Sequence, residues 1–246
     1  MDIKTNKMEL ISNSTLISIL SKFPFLIRFK RYILAYTDDV RHTKETYSQY
    51  CEDLSLKELL PILSPEDCIY IEIGANQPTQ ISNTYLFYRK GFHGIVVEPN
   101  REMTSLFRRF RPRDIHLEIG CSDINGFLKF KKSESSVLSG FSDDIKTVIN
   151  TPTWVPIMTV DQIWCDAGEK KMVFLLSIDT EGYDLNVLRG AKETLKHTIY
   201  VIIETSEDDL VEIQKIMMLD GFKLVKKTEC NYIYLNEDFF NENFKN

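Results

Sequence analysis

Residues 70–84 read YIEIGANQPTQISNT. They continue an apolar run that begins at Cys68, and CIYIEI has the near-continuous bulky content of a strand covered on both faces. The run stops at Gly74-Ala75-Asn76, and a polar turn leads into a helical pattern that starts near Ser82 and ends at Gly91. A chain leaving a strand in this way exposes backbone amides at a helix entrance, where open α/β sheets hold nucleotide-like ligands.

Working outward, the same kind of run recurs as GIVVE, IHLEIG, MVFLLSI and YVIIE, alternating with helical segments. That alternation predicts an α/β domain with a mostly parallel sheet. One helix is expected from Asp184, with Leu185, Leu188 and Leu195 on one face. Another opens at Ser206 with Asp209 three residues on, carries Leu210, Ile213 and Met217, and stops at Gly221. At the end of the chain FKLVKK and NYIYL are separated by only three residues, too few for a parallel crossover, so a C-terminal antiparallel hairpin is expected. Residues 123–160 are irregular, with a hairpin strand GFLKFKK, a serine-rich stretch and a strand-like WVPIMTV. A long insertion at the carboxyl edge of a sheet is where substrate-contacting loops belong.

With 246 residues and 43% apolar composition, the chain reads as an N-terminal helical extension over 1–45 and one domain over 46–246. A net charge of −6 argues against a general nucleic-acid binder, which needs a dominant basic face. The five cysteines form no CxxC pair and the four histidines show no ligand spacing, so neither a disulfide framework nor a zinc site is indicated and the thiols read as those of a cytoplasmic protein. No full metal-ligand set is evident, and a divalent ion shared by Asp179 and Glu181 stays open. The stretch TLISILSKFPFLIRFKRYIL is interrupted by Lys22, Pro24, Arg28, Lys30 and Arg31, and no apolar run approaches the roughly 20 residues of a membrane span. Two readings stay open for residues 15–35. They could lie on the inner face of a membrane as a peripheral contact, or pack on the domain, which is the preferred reading.

Three ligand classes suit a strand, a glycine turn and a helix. A triphosphate loop needs Lys followed by Ser or Thr after its glycines, and residues 70–84 have none. A dinucleotide fingerprint needs three glycines, and here Gly74 stands alone. S-adenosylmethionine has no phosphate and needs less glycine. It asks for an acidic residue after the second strand, and Glu98 in GIVVEPN lies 24 residues beyond Gly74. It also asks for a polar turn to receive its amino acid end, for which Asn76, Ser82, Asn83 and Thr84 supply groups. The alternative for Glu98 is a cap on the helix that follows.

EIGANQPTQISNTYLFY, GIVVEPN, SIDTEGYDLNVLRGA and the upstream YSQYCEDL together resemble the FkbM family of S-adenosylmethionine-dependent methyltransferases, over residues 47–205. The resemblance implies a Rossmann-like seven-stranded sheet ending in an antiparallel hairpin. It also implies O-methylation of sugar or polyketide-type hydroxyls, and Gln49 folding over the cofactor. One position departs from the family: Pro78 stands where a second glycine is common, removing an amide donor. Ser82, Asn83 and Thr84 are the groups expected to replace it.

Methyl transfer is an in-line displacement, so catalysis rests on holding an acceptor oxygen behind the methyl carbon and assisting loss of its proton. In LLSIDTEGYD, Asp179 ends the fourth strand and Glu181 follows on the turn. Asp179 is assigned as general base or orienting group, and Glu181 supports the loop or the substrate. Glu204, ending the fifth strand, is a weaker candidate. Glu72 is expected to reach the methionine amino group, and Ser122 and Asp123 an adenine edge. The five arginines of REMTSLFRRFRPR read as a solvated helix face, with a phosphate- or acidic-glycan-binding role as the alternative. The leading function is an O-methyltransferase of a saccharide or glycolipid intermediate. The alternatives are an O-methyltransferase of a small natural product, a noncatalytic methyltransferase-like partner and, least favoured, a dinucleotide oxidoreductase.

Overall fold

The computed structural model describes residues 46–133, 139–141, 152–168 and 170–244. The expected N-terminal extension lies outside them. In chain order the strands are β1 (Cys68–Ile73), β2 (Gly94–Val97), β3 (Ile115–Leu117), β4 (Gly120–Cys121), β5 (Gly126–Phe130), β6 (Thr153–Met158), β7 (Met172–Ile178), β8 (Thr198–Glu204), β9 (Phe222–Lys227) and β10 (Asn231–Asn236). A 3-10 helix, Asp53–Leu59, precedes them. The α-helices are α1 (Tyr85–Arg89), α2 (Arg101–Phe110), α3 (Val160–Ala167), α4 (Asp184–Arg189), α5 (Lys192–Leu195), α6 (Glu207–Leu219) and α7 (Glu237–Phe244).

Seven strands form one sheet in the order β3-β2-β1-β7-β8-β10-β9. The pairs among β1, β2, β3, β7 and β8 are parallel, and β10 runs antiparallel to both neighbours. This is the Rossmann-like seven-stranded sheet with the expected antiparallel terminal hairpin, as the short link before NYIYL requires. Strand order reverses between β1 and β7, so their carboxyl ends open a crevice at the switch point.

Alternation along β1 builds the two layers of core. Ile69, Ile71 and Ile73 face an aliphatic layer with Leu176, Leu188, Ile213 and Met217. Tyr70 faces an aromatic layer with Phe87, Phe92, Phe174 and Ile202. A strand covered on both faces needs apolar residues at every position, which is why CIYIEI shows no polar alternation. Glu72 is the exception, with only 4% of its surface exposed.

The insertion makes a second sheet, β4-β6-β5, with β6 parallel to β4 and antiparallel to β5. Phe130, Val155 and Ile157 are buried, whereas Phe127 and Trp154 are exposed. Four local expectations are corrected. IHLEIG is two strands, because the chain leaves the main sheet after Leu117 and joins the small one at Gly120. WVPIMTV is a strand only to Met158; Thr159 then accepts a hydrogen bond from Gln162 N (3.1 Å) and starts α3. The helix from Asp184 breaks at Gly190 into α4 and α5, although Leu185, Leu188 and Leu195 are all buried as expected. Ser206 stands at the N-cap of α6 but makes no side-chain capping hydrogen bond.

Candidate active site

The end of β1 is held on both sides. Gly74 N donates to Val97 O (3.0 Å) and Asp179 N donates to Ile73 O (3.0 Å), so the chain ends after β2 and β7 flank it. Gly74 has φ +78°, and a Cβ there would lie 1.7 Å from Asp179 O. Beyond it Asn76 adopts φ 47° and Ile81 φ 51°. Positive φ is uncommon outside glycine and anomalous for a β-branched residue, and such conformations concentrate at ligand sites.

Glu98 organises the next loop. Its Oε2 accepts from Asn76 N (2.8 Å) and its Oε1 from Asn100 N (2.7 Å), while Asn100 itself caps α2 by accepting from Glu102 N (3.2 Å). The cap on α2 is therefore Asn100, and Glu98 ties the loops after β1 and β2 together. Burial pushes its carboxyl up to about 7, against the two amides, which hold the charged form.

Between these loops and the small sheet lies a cavity of about 280 Å³. Gln49, Gly74, Asn76, Glu98, Asp179 and Glu181 line it, and so does Glu204. Phe130 and Phe141 close the opposite wall, with ring centroids 5.4 Å apart. Gly120 makes room for that wall, because a Cβ there would meet Phe141 Cζ at 2.4 Å. Asn76 Oδ1 is buried and accepts no hydrogen bond.

Three carboxylates converge where β7 and β8 end: Asp179, Glu181 and Glu204 each bring an oxygen within 4.8 Å of the others, close enough to share one cation. The turn that presents Glu181 is fixed from below by Asp184, which accepts from Thr180 N (2.7 Å), Thr180 Oγ1 (2.8 Å) and Gly182 N (3.1 Å). That bracing puts Glu181 at φ 56° and Gly182 at φ 87°. Burial, a hydrogen bond with Glu204 and the neighbouring charges raise Asp179 well above the usual carboxylate range. Burial and the charges of Glu204 and Asp184 push Glu181 up to about 7, and burial pushes Asp184 to about 6.

Residues 46–53 form a hydrogen-bonded strap that reaches the cavity at Gln49. Asp53 accepts from Tyr47 N (2.8 Å) and Ser48 Oγ (2.8 Å), and Glu52 accepts from Tyr50 N (2.8 Å) and, across the molecule, from Asn231 Nδ2 (2.8 Å). Tyr47 O accepts from Ser82 N (3.1 Å). These ties set Gln49 on the cavity wall.

Other expected site residues are gathered elsewhere. Glu72, Ser82 and Thr84 meet in the core beneath the loop, around Arg111, which is fully buried. Glu72 accepts from Ser82 Oγ (2.9 Å), Thr84 Oγ1 (2.5 Å) and Arg111 Nη1 (3.0 Å), while Arg111 Nε donates to Asp114 (2.7 Å). Arg111 Nη2 also donates to Thr84 Oγ1 (2.7 Å), and the guanidinium lies 5.4 Å from the Tyr70 and Tyr88 ring centroids. Neither a solvated face nor a ligand contact describes this arginine. Arg101, Arg108, Arg109 and Arg113 of the same stretch are exposed. Asn83 Nδ2 donates to Ser177 Oγ (3.0 Å), pinning the turn to β7. Ser122 Oγ donates to Asp123 (2.9 Å), next to the cavity-lining Cys121. The sequence reading missed Ile81, Phe130, Phe141 and Thr180 on the wall; the positive φ of Ile81 and the packing of the insertion leave no local signal.

A mostly parallel sheet with its reversed last strand, and a cavity over the ends of β1, β2 and β7 walled by acidic residues, define the methyltransferase class of α/β fold. The chain belongs to the methyltransferase FkbM domain family, whose pattern matches residues 72–234. Among characterised proteins it is 25% identical over 190 residues to the 2-O-methyltransferase NoeI of Sinorhizobium fredii, covering 69% of this chain and 78% of that protein. Solved structures to which it shows some similarity include the METTL16 methyltransferase domain (9% identity, TM-score 0.42), matched over 75% of this chain and 65% of that domain. The protein PH1948 of Pyrococcus horikoshii is another (13% identity, TM-score 0.40), matched over 84% of this chain and 96% of its own.

Proposed function

We propose that this protein is an S-adenosylmethionine-dependent O-methyltransferase acting on a hydroxyl of a saccharide or glycolipid intermediate. The observation that carries the reading is the wall of the cavity. Glu98 follows β2 where ribose hydroxyls are recognised, the buried Asn76 Oδ1 lacks a donor, and Asp179 stands at the end of β7. An ammonium or hydroxyl donor is what the orphaned amide oxygen calls for, so these residues fit the cofactor. The similarity to a 2-O-methyltransferase supports oxygen as the acceptor atom.

When bound, the cofactor supplies an electrophilic methyl group on a sulfonium. The chain does the rest. Glu98 holds the ribose, Asn76 Oδ1 takes the free amino group, and Gln49 covers the site from the strap. Asp179 accepts the acceptor's hydroxyl proton at a carboxylate oxygen, and its raised proton affinity brings it nearer to the hydroxyl it must deprotonate. Glu181 orients the acceptor. Phe130 and Phe141 exclude water from the far wall.

Isothermal titration with S-adenosylmethionine and S-adenosylhomocysteine is the test, with Glu98→Ala as control and NAD as competitor. Binding of both sulfur ligands at about micromolar Kd, lost in Glu98→Ala and indifferent to NAD, is expected. Transfer of labelled methyl to a panel of glycans, lost in Asp179→Ala while cofactor binding persists, then assigns the catalytic role. Absence of binding would remove the reading.

A further inference from the structure

Every charged side chain on the cavity wall is an acid: Glu98, Asp179, Glu181 and Glu204 line it, and among the described residues no Lys, Arg or His does. The wall's unpartnered polar atom, Asn76 Oδ1, is also an acceptor. The basic group felt by Glu98, Lys132, is paired with Glu102 (3.2 Å). Around the three convergent carboxylates the other titratable groups are Asp184 below the turn and Cys230 beyond Glu204, with Glu52 behind Cys230. None of these can carry positive charge. A cavity whose charged side chains are all acids is stabilised by a cation that enters it.

Resting on the cofactor reading above, we propose that Asp179, Glu181 and Glu204 select the charge state of the cofactor, binding the cationic sulfonium donor in preference to the neutral thioether left after transfer. The two ligands share adenosine and the amino acid, so contacts at Glu98 and Asn76 cancel between them. What differs is one methyl group and one positive charge at sulfur. Sulfur is bonded both to the ribose carbon and to the methionine chain. Glu98 and Asn76, which would hold the ribose and the amino group, line the same cavity as the three carboxylates, so the sulfur between those two groups would fall within reach of their charge. Methyl transfer removes the positive charge at sulfur while Asp179 takes up the acceptor's proton, so Glu181 and Glu204 are left facing a neutral thioether, which favours release of the product. The preference strengthens as Glu181, which titrates near 7, gains its charge.

Calorimetry with two non-reacting ligands tests this: S-adenosylhomocysteine, which is neutral at sulfur, and sinefungin, in which an amine-bearing carbon keeps a positive charge at that place. At about pH 8 the wild-type protein is expected to bind sinefungin about tenfold more tightly, with the ratio falling to about threefold or less at about pH 5.5. Glu181→Gln and Glu204→Gln each lower the ratio at high pH while leaving S-adenosylhomocysteine affinity within a few-fold. Equal affinity for both ligands across the pH range overturns the proposal and leaves the cofactor reading intact. If neither binds, both fall. Each titration is repeated with magnesium and with a chelator. Magnesium raising S-adenosylhomocysteine to the affinity of sinefungin would show that a divalent ion fills the acidic corner, and would also overturn the proposal. The wild-type pH series needs no variant to fold.

Discussion

At Gly74 the two loops that make the site come within touching distance, and no side chain fits between them. An alanine would carry its Cβ to 1.7 Å from a backbone oxygen of Asp179, at a φ of +78° that alanine disfavours. Neither the clash nor the angle can be relieved by turning a side chain. Gly74→Ala should therefore cost about 3 kcal/mol or more and displace Asp179. Denaturant melts together with calorimetric cofactor titration check both effects. A variant of unchanged stability and affinity would show that the junction yields to a side chain. Gly74, Glu98 and Asp179 were legible in the sequence because each ends an apolar run, and strand ends at a switch point face the crevice. Arg111 was not. It is one of five arginines in thirteen residues, and burial with tertiary partners such as Glu72, 39 positions away, separates it from its solvated neighbours.

Among elements, the brace around Arg111 determines where the loop between β1 and α1 sits. Glu72 from β1, Ser82 and Thr84 from the turn, and Asp114 from the loop before β3 all converge on one guanidinium, with Tyr70 Oη donating to Asp114 (2.6 Å). Pro78 O also accepts from Arg111 Nη1 (3.5 Å), so the position lacking an amide donor contributes its carbonyl instead. Removing the arginine strands two buried carboxylates, a change that costs about 3–5 kcal/mol. Arg111→Met should lower Tm by about 10 °C and weaken cofactor binding through the loop that carries Asn76. Arg111→Lys keeps one charge but cannot serve Nε and both Nη partners, and falls between the two. A methionine variant with unchanged Tm would remove the brace from the account. Strand identity was readable here because runs buried on both faces announce themselves. The small sheet was readable only in part, since Phe130 and Phe141 meet through tertiary packing rather than through any pattern along the chain.

For the whole molecule, the site concentrates acidity that the fold does not neutralise. Glu98 and Glu181 stand near 7 and Asp184 near 6, all above the ordinary values of 4.5 and 3.8. A carboxyl whose folded value exceeds its unfolded one binds more protons in the native state throughout the window between them. Its contribution to stability is complete below the unfolded value and is lost as pH rises through the folded one. The free protein should thus melt at a lower temperature at about pH 8 than at about pH 5.5, opposite to a protein whose carboxylates are held by ion pairs. Glu181→Gln, neutral at every pH, should flatten the slope. A saturating cationic ligand such as sinefungin should flatten it further, because the added charge offsets the ionised acids, whereas S-adenosylhomocysteine should restore less of the loss. Differential scanning calorimetry of the wild type and Glu181→Gln at the two pH values, with and without each ligand, measures all three. Stability that rises with pH in the free protein would mean that the acids at the ends of β2, β7 and β8 are ionised without strain, and the electrostatic account of the site would fail with them.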